Sequence, residues 1–336
     1  MDERKKKILR AIVDEYIETA EPVSSNTIVQ KYEPNISSAT VRNTMAELEK
    51  IGYIEKTHTS SGRVPSAKGY RLYVDELLKY DNISLEEIKY IGEKLETKVN
   101  QLEELTQITT STISEITHYT TVSVGPQSSK QKIEEIKFVL LGSRMLMAII
   151  MTDIGLIKET IIKFDEDINQ EQVETLTRVF NKKLRGQPLE TIDKPLEEYI
   201  VDEINYNINI IKTIIEEIQK MIKKEESLYL QGRNKSFDLP EFKSLELARN
   251  FSNVLDEKEL MLDILNNGMA DDIQIYIGDE NENQELKDFS IITFKHSVGN
   301  KDLGTIGIIG PKRMNYSKVI SVMKYISKML NDDNKD

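Results

Sequence analysis

Thirty-five residues near the N-terminus, Ser37 to Arg71, constrain the fold of this chain more than any other stretch. They read SSATVRNTMAELEKIGYIEKTHTSSGRVPSAKGYR. Ser37 or Ser38 can cap a helix, because a serine oxygen accepts from an N–H that the first turn leaves unpaired. Val41, Met45 and Leu48 then share one face, and Gly52 ends the helix. Tyr53 to Lys56 reads as a strand, Ser60-Ser61-Gly62-Arg63 as a turn and Val64-Pro65 as the return. Upstream, a helix from about Glu3 to Thr19 carries Ile8, Ile12 and Tyr16 on one stripe. Pro22 breaks it, and Ser24 or Ser25 opens a short helix through Lys31. Three helices followed by a basic ribbon form the pattern of a winged helix-turn-helix.

Charge supports a nucleic-acid contact only once it is divided along the chain. The 336 residues carry a net charge of −12, the wrong sign for a polyanion ligand. Residues 1–80, however, hold 13 Lys and Arg against 12 Asp and Glu, so the acid lies downstream. Between Lys50 and Arg71, five bases face only Glu55. A small basic footprint on an acidic body is what local DNA contact requires.

The polarity of the third helix says which end meets DNA. Its N-terminal half presents Ser38, Thr40, Arg42 and Asn43, whereas its C-terminal half presents Glu47 and Glu49, which phosphates repel. Arg can bond guanine O6 and N7 together, and Asn can do the same with adenine N6 and N7. The contact set expected from the helices is Ser24, Ser38, Thr40, Arg42 and Asn43; from the ribbon and the basic stretch after it, it is His58, Thr59, Ser60, Gly62, Arg63, Lys68 and Arg71. Arg63, following Gly62 at the turn, is the leading candidate for a phosphate or minor-groove contact.

Enzymatic chemistry finds little support. The chain has no Cys and three scattered His, His58, His118 and His296, so thiolate nucleophiles and Cys- or His-built metal sites are not expected, nor is any cofactor. Gly304, Gly307 and Gly310 recur every three residues, but GTIGIIGPK lacks the GK[ST] of a phosphate loop and reads as close packing. No run of eighteen apolar residues is present, which argues for the cytoplasm and against a membrane partner.

Beyond residue 80, Ser84 and Glu87 form a capping box that opens a helix through about Leu105. A strand spans Thr120 to Val124. The runs Ile136–Leu141, Met145–Met151 and Ile157–Phe164, separated by turn residues, predict an antiparallel meander. A helix capped by Asn169 and Gln172 follows, and Pro195 opens another, with Ile204, Ile208, Ile211, Ile215 and Ile218 on a stripe widened by Ile210 and Ile214. A face that wide needs cover on two sides, so a second copy of the same helix is the expected dimer contact. Strands at Ile273–Ile277, Phe289–Phe294 and Thr305–Ile309 and a helix from Ser317 to Leu330 close the chain. Lys312 and Arg313 could bind an anion, pair with acids or sit at a dimer contact.

Two motifs resemble the HrcA family: SSATVRNTMAELEKIGYIEKTHTSSGRVPSAKGYRLYVD near the start and IGPKRMNY at Ile309 to Tyr316. Thr44, where an acidic residue is expected, and Ser61, where Ala is common, depart from the pattern. The resemblance implies an α+β multidomain chain: a winged helix-turn-helix over 1–80, a discontinuous GAF-like domain over 81–130 and 236–336, and an inserted α/β dimerising domain over 131–235. It further implies a homodimeric repressor, not an enzyme, on an inverted-repeat operator of the CIRCE type before chaperone operons, with a GroEL-type chaperonin promoting its active state and heat reversing it. The alternative is a winged-helix regulator whose GAF-like domain senses a small molecule.

Overall fold

A computed structural model describes residues 1–57, 62–80, 82–95, 102–125, 131–192, 200, 208–224, 228–267, 273–298 and 301–332. Local chemistry shapes the N-terminal unit as expected. Helix α1, Glu3–Thr19, starts on the Asp2 carboxylate, which accepts from the Lys5 N–H, and ends at Ala20 in the left-handed region. Helix α2, Ser25–Lys31, is capped by Ser24, and α3, Ser38–Lys50, by Ser37. Strands β1, Ile54–Lys56, and β2, Arg63–Pro65, pair antiparallel. Helix α4, Ala67–Leu72, continues into one π turn at Tyr73–Leu77. The predicted stripes converge: Ile8, Ile12, Ile28, Val41, Leu48 and Ile54 are buried together.

Helix α5, Leu85–Leu95, opens with the expected capping box, Glu87 N–H donating to Ser84 Oγ and Ser84 N–H to the Glu87 carboxylate. Helix α6, Leu102–Thr117, runs well past the expected end at Leu105. Its Thr-rich sequence is a poor helix former in isolation, but Thr110 and Thr117 donate their hydroxyls to the carbonyls four residues back, so their burial leaves these polar groups satisfied.

Strand β3, Thr120–Val124, enters a sheet that the chain then leaves. The predicted meander is present as β4, Ile133–Gly142, β5, Met145–Thr152, and β6, Ile157–Lys163, an antiparallel sheet in that order. Helix α7, Gln170–Leu184, carries the Asn169/Gln172 capping box, and α8, Ile208–Lys224, carries the isoleucines. Strand β7, Leu228–Gln231, then pairs with β3. The expected segment end at 235 is therefore too late: the chain has already rejoined its first sheet at Leu228, a step hidden because four residues after a long helix look like its frayed end.

Three helices follow, α9 at Arg233–Ser236, α10 at Leu245–Asp256 and α11 at Lys258–Asn267. Strands β8, Gln274–Ile277, β9, Phe289–Val298, and β10, Lys301–Pro311, complete an antiparallel five-stranded sheet ordered β7-β3-β10-β9-β8. Helix α12, Tyr316–Asp332, ends the described chain. Gly304 stands at a bulge with φ +106, where a Cβ would lie 1.9 Å from the Val124 carbonyl oxygen. Close packing, as expected, accounts for that glycine.

The isoleucine stripe required correction. Ile211, Ile214, Ile215 and Ile218 are all fully buried within the chain, in a cluster with Ile136, Phe138, Leu146 and Ile150 of the small sheet and Val173, Leu176 and Phe180 of α7. The second cover that the stripe demanded is intramolecular. Only Ile208 remains exposed, and Ile204 lies outside the described residues.

Candidate nucleic-acid interface

Packing fixes the outward face of α3. With Val41, Met45 and Leu48 buried, Arg42 and Asn43 are exposed, and neither side chain has a hydrogen-bond or ionic partner among the described residues. The N-terminal end is stapled to α2: Ser38 Oγ donates to Asn26 Oδ1 at 2.7 Å and lies 3.1 Å from Ser25 Oγ. Ser37 Oγ accepts from Thr40 N at 3.1 Å, and Thr40 Oγ1 sits 2.9 Å from the Ser37 hydroxyl. Ser24 does the same service at α2, accepting from Thr27 N. Ser24, Ser38 and Thr40 thus shape the helix-turn-helix, while Arg42 and Asn43 are the side chains it leaves available. Thr44 is buried and donates to the Thr40 carbonyl, so the family departure there is absorbed inside the unit.

Both acids of the C-terminal half of α3 are neutralised from within. Lys5 of α1 meets Glu47 at 2.9 Å, and Arg63 meets Glu49 at 2.7 Å. The second pair corrects the expectation for Arg63. It stands at the first position of β2 rather than at an open tip, and its N–H and C=O pair with Val23 at 2.9 and 2.8 Å. Gly62 is buried beside it, where a Cβ would come within 2.6 Å of Pro22. The arginine is held at the base of the ribbon because Pro22 and Val23 lie against it. His58, Thr59 and Ser60, the expected tip, lie outside the described residues.

Lys68 is exposed but engaged. Its ammonium donates to the Ile51 carbonyl at 3.0 Å and stands over the Tyr53 ring, placing positive charge at the C-terminal end of α3. Lys50 and Lys56, counted in the charge balance but not singled out, are exposed and unpaired among the described residues. The sequence signal that could have found them is the run from Lys50 to Arg71, in which Glu55 is the only acid.

Arg71 also departs from expectation. Its guanidinium makes a two-pronged contact with Glu280, donates to the Ile275 carbonyl of β8 and reaches Asp75 at 3.2 Å. The hydrogen bond to Glu280, ahead of the cost of partial burial, raises its pKa. It ties α4 to the five-stranded sheet. Of the alternatives for Lys312 and Arg313, pairing with acids is the one observed. Lys312 lies 3.7 Å from Asp288, and Arg313 forks onto Glu241 while donating to the Ile17 carbonyl in the last turn of α1.

No three His, Cys, Asp or Glu residues are grouped to hold a metal among the described residues, and no helix among them is long and apolar enough to cross a membrane. A profile of the HrcA protein C-terminal domain matches residues 103–320. The heat-inducible transcription repressor HrcA of Ruminiclostridium cellulolyticum is 38% identical over 338 residues, covering 99% of this chain and 97% of that protein. The repressor of the same name from Clostridium acetobutylicum is 38% identical over 336 residues, with 99% and 97% coverage. A crystal structure of a hypothetical protein at 2.2 Å resolution superposes with a TM-score of 0.66 at 25% identity, over 99% of this chain and 98% of that one. With a capped helix that offers an arginine and an asparagine beside a paired ribbon, and with relatives matched along its whole length, the chain belongs to the HrcA family of heat-inducible transcription repressors, regulators and not enzymes.

Proposed function

We propose that the protein acts in the cytoplasm as a homodimer that binds an inverted-repeat operator of the CIRCE type before chaperone operons and blocks their transcription. In this reading residues 1–80 are the winged helix-turn-helix, the five-stranded sheet with its helices is the GAF-like domain, and the segment between β3 and β7 is the dimerising insert. A GroEL-type chaperonin favours the active state, and heat, by diverting the chaperonin to unfolded clients, relieves repression.

The observation that carries the reading is the pair Arg42 and Asn43: exposed and unpaired on the N-terminal half of α3, while the acids of its C-terminal half, Glu47 and Glu49, are paired with Lys5 and Arg63. Each can make a bidentate base contact worth about 1–3 kcal/mol of discrimination. Lys50 and Lys56 add phosphate attraction.

The dimer contact is assigned to the outer face of the meander rather than to α8. Ile157 and Ile161 are 53% and 51% exposed, and Met151 opposite Ile157 is 38% exposed. Register places Val139, Met147 and Ile161 in one row and Lys137, Ile149 and Glu159 in another. Glu135 and Glu159 balance Lys137 and Lys163 on this face, and a patch that meets its own copy across a dyad needs that balance.

Footprinting upstream of chaperone operons, with and without chaperonin, tests the reading. Two protected arms related by a dyad, strengthened by chaperonin, are expected; a single asymmetric footprint overturns the dimeric operator. Arg42→Ala should weaken binding by about 1–3 kcal/mol and relax preference at one position per arm. Equal weakening for every base variant would assign Arg42 to phosphate.

A further inference from the structure

We infer that Arg313 and Arg71, which lie outside the recognition helix and the wing, are positioning residues that fix the half-site spacing the repressor accepts. The inference rests on the reading of the protein as a dimer on an inverted repeat. Arg313 comes from the turn after β10, yet it donates to the Ile17 carbonyl, one of the last carbonyls of α1, which have no partner inside the helix. Helix α1 has no basic residue of its own in its last turn. The missing cation is thus supplied from 296 residues away. The same guanidinium is forked onto Glu241, and this pair is largely shielded from solvent, with side chains 11% and 19% exposed.

Arg71 makes the reciprocal connection. It reaches out from α4 to Glu280 and to a backbone carbonyl of β8, the edge strand of the five-stranded sheet. Across the same boundary the rings of Tyr70 and Tyr316 lie 5.8 Å apart, and Ser317 Oγ donates to the Lys79 carbonyl at 2.6 Å. The Arg71 fork crosses from α4 to the body, and the Arg313 fork, made within the body to Glu241, aims the remaining nitrogen at α1; guanidinium geometry is directional, so the two contacts define an orientation as well as an attachment. A unit held this way by each subunit presents its α3 at one distance and one angle from the dyad. Without the forks, the same α3 keeps its base contacts but loses its fixed separation from its twin.

The test uses the full-length protein and inverted repeats built from the arm sequence that footprinting defines, with the spacer changed one base pair at a time over a helical turn. Wild type should show a sharp optimum. Arg313→Gln and Arg71→Gln should reduce the preference for the optimal spacer over one about half a turn away by at least about tenfold, because a loosely held second unit is less effectively concentrated at its site. Base preference within each arm should not change. Arg71→Lys, which keeps a cation facing Glu280, should retain more of the spacer preference than Arg71→Gln, which a merely disrupted fold would not do. An unchanged spacer profile in both single variants, with a sharp wild-type optimum, overturns the inference alone. A wild type that binds single arms as well as repeats overturns the dimeric reading, and the inference with it.

Discussion

The winged-helix unit and the inserted meander are both attached to the five-stranded sheet, and they are attached in opposite ways. The first shares its core with the body: Ile8, Leu9 and Tyr70 belong to the same buried cluster as Ile277, Tyr316 and Met323. The second keeps its core to itself, since every residue in its cluster lies between Ile133 and Ile222. It joins the body through the chain on either side, at the paired strands β3 and β7. Apolar sequence thus serves two ends. A shared core makes orientation part of stability, and a private core lets the insert fold, melt or pair without disturbing the rest.

The largest break in this contrast should come from Tyr316→Ala. Tyr316 is fully buried, donates to the Lys312 carbonyl at 2.7 Å and stands beside Tyr70, so truncation should cost about 4 kcal/mol. Calorimetry should show the winged-helix unit and the body lowered together while the insert's transition stays in place. Ile215→Ala should do the reverse, removing about 3 kcal/mol from the insert alone. If both variants shift one common transition, the cores are not independent.

Acid offers a third test. His296 is buried in β9 with no partner for Nε2, and burial lowers its pKa from 6.5 to about 4. Between those values the unfolded chain binds a proton that the folded chain refuses, so stability complete above pH 6.5 falls as pH drops to about 4, by about 3 kcal/mol in total. The insert contains no His and should be spared. His296→Gln should flatten this slope in the body's transition; an unaltered slope would assign it to carboxylates. The smallest effect on stability is expected from Ile157→Thr with Ile161→Thr, within about 0.5 kcal/mol because both are half exposed. Light scattering should nonetheless show monomer, and a persisting dimer would move the interface off this face.

What could be read from the sequence was what short range decides. The caps at Ser37, Ser84 and Asn169 and the turns of the meander each depend on residues three or four apart, and all are present. The outward position of Arg42 and Asn43 followed from helical period alone. Arg63, Arg71 and Arg313 were not legible in the same way, because a base's meaning depends on its partner. Glu49 lies 14 positions from Arg63, and Glu280 lies 209 from Arg71. The width of the α8 stripe correctly demanded two covers, but amphipathicity carries no label for whose surface supplies them. Strand β7 was missed because its only signature is its pairing with β3.

The contact between Arg313 and Ile17 also has a consequence in time. The last turn of α1 emerges early in synthesis, but the side chain that completes it is made 296 residues later. At about 5–20 residues per second that is a wait of roughly 15 to 60 s. Strand β10, which sits between β3 and β9, arrives equally late. A polypeptide still on the ribosome therefore carries a recognition helix without its orientation. On the proposed reading, a chain still being made lacks the contact that would hold α3 at one distance from its twin.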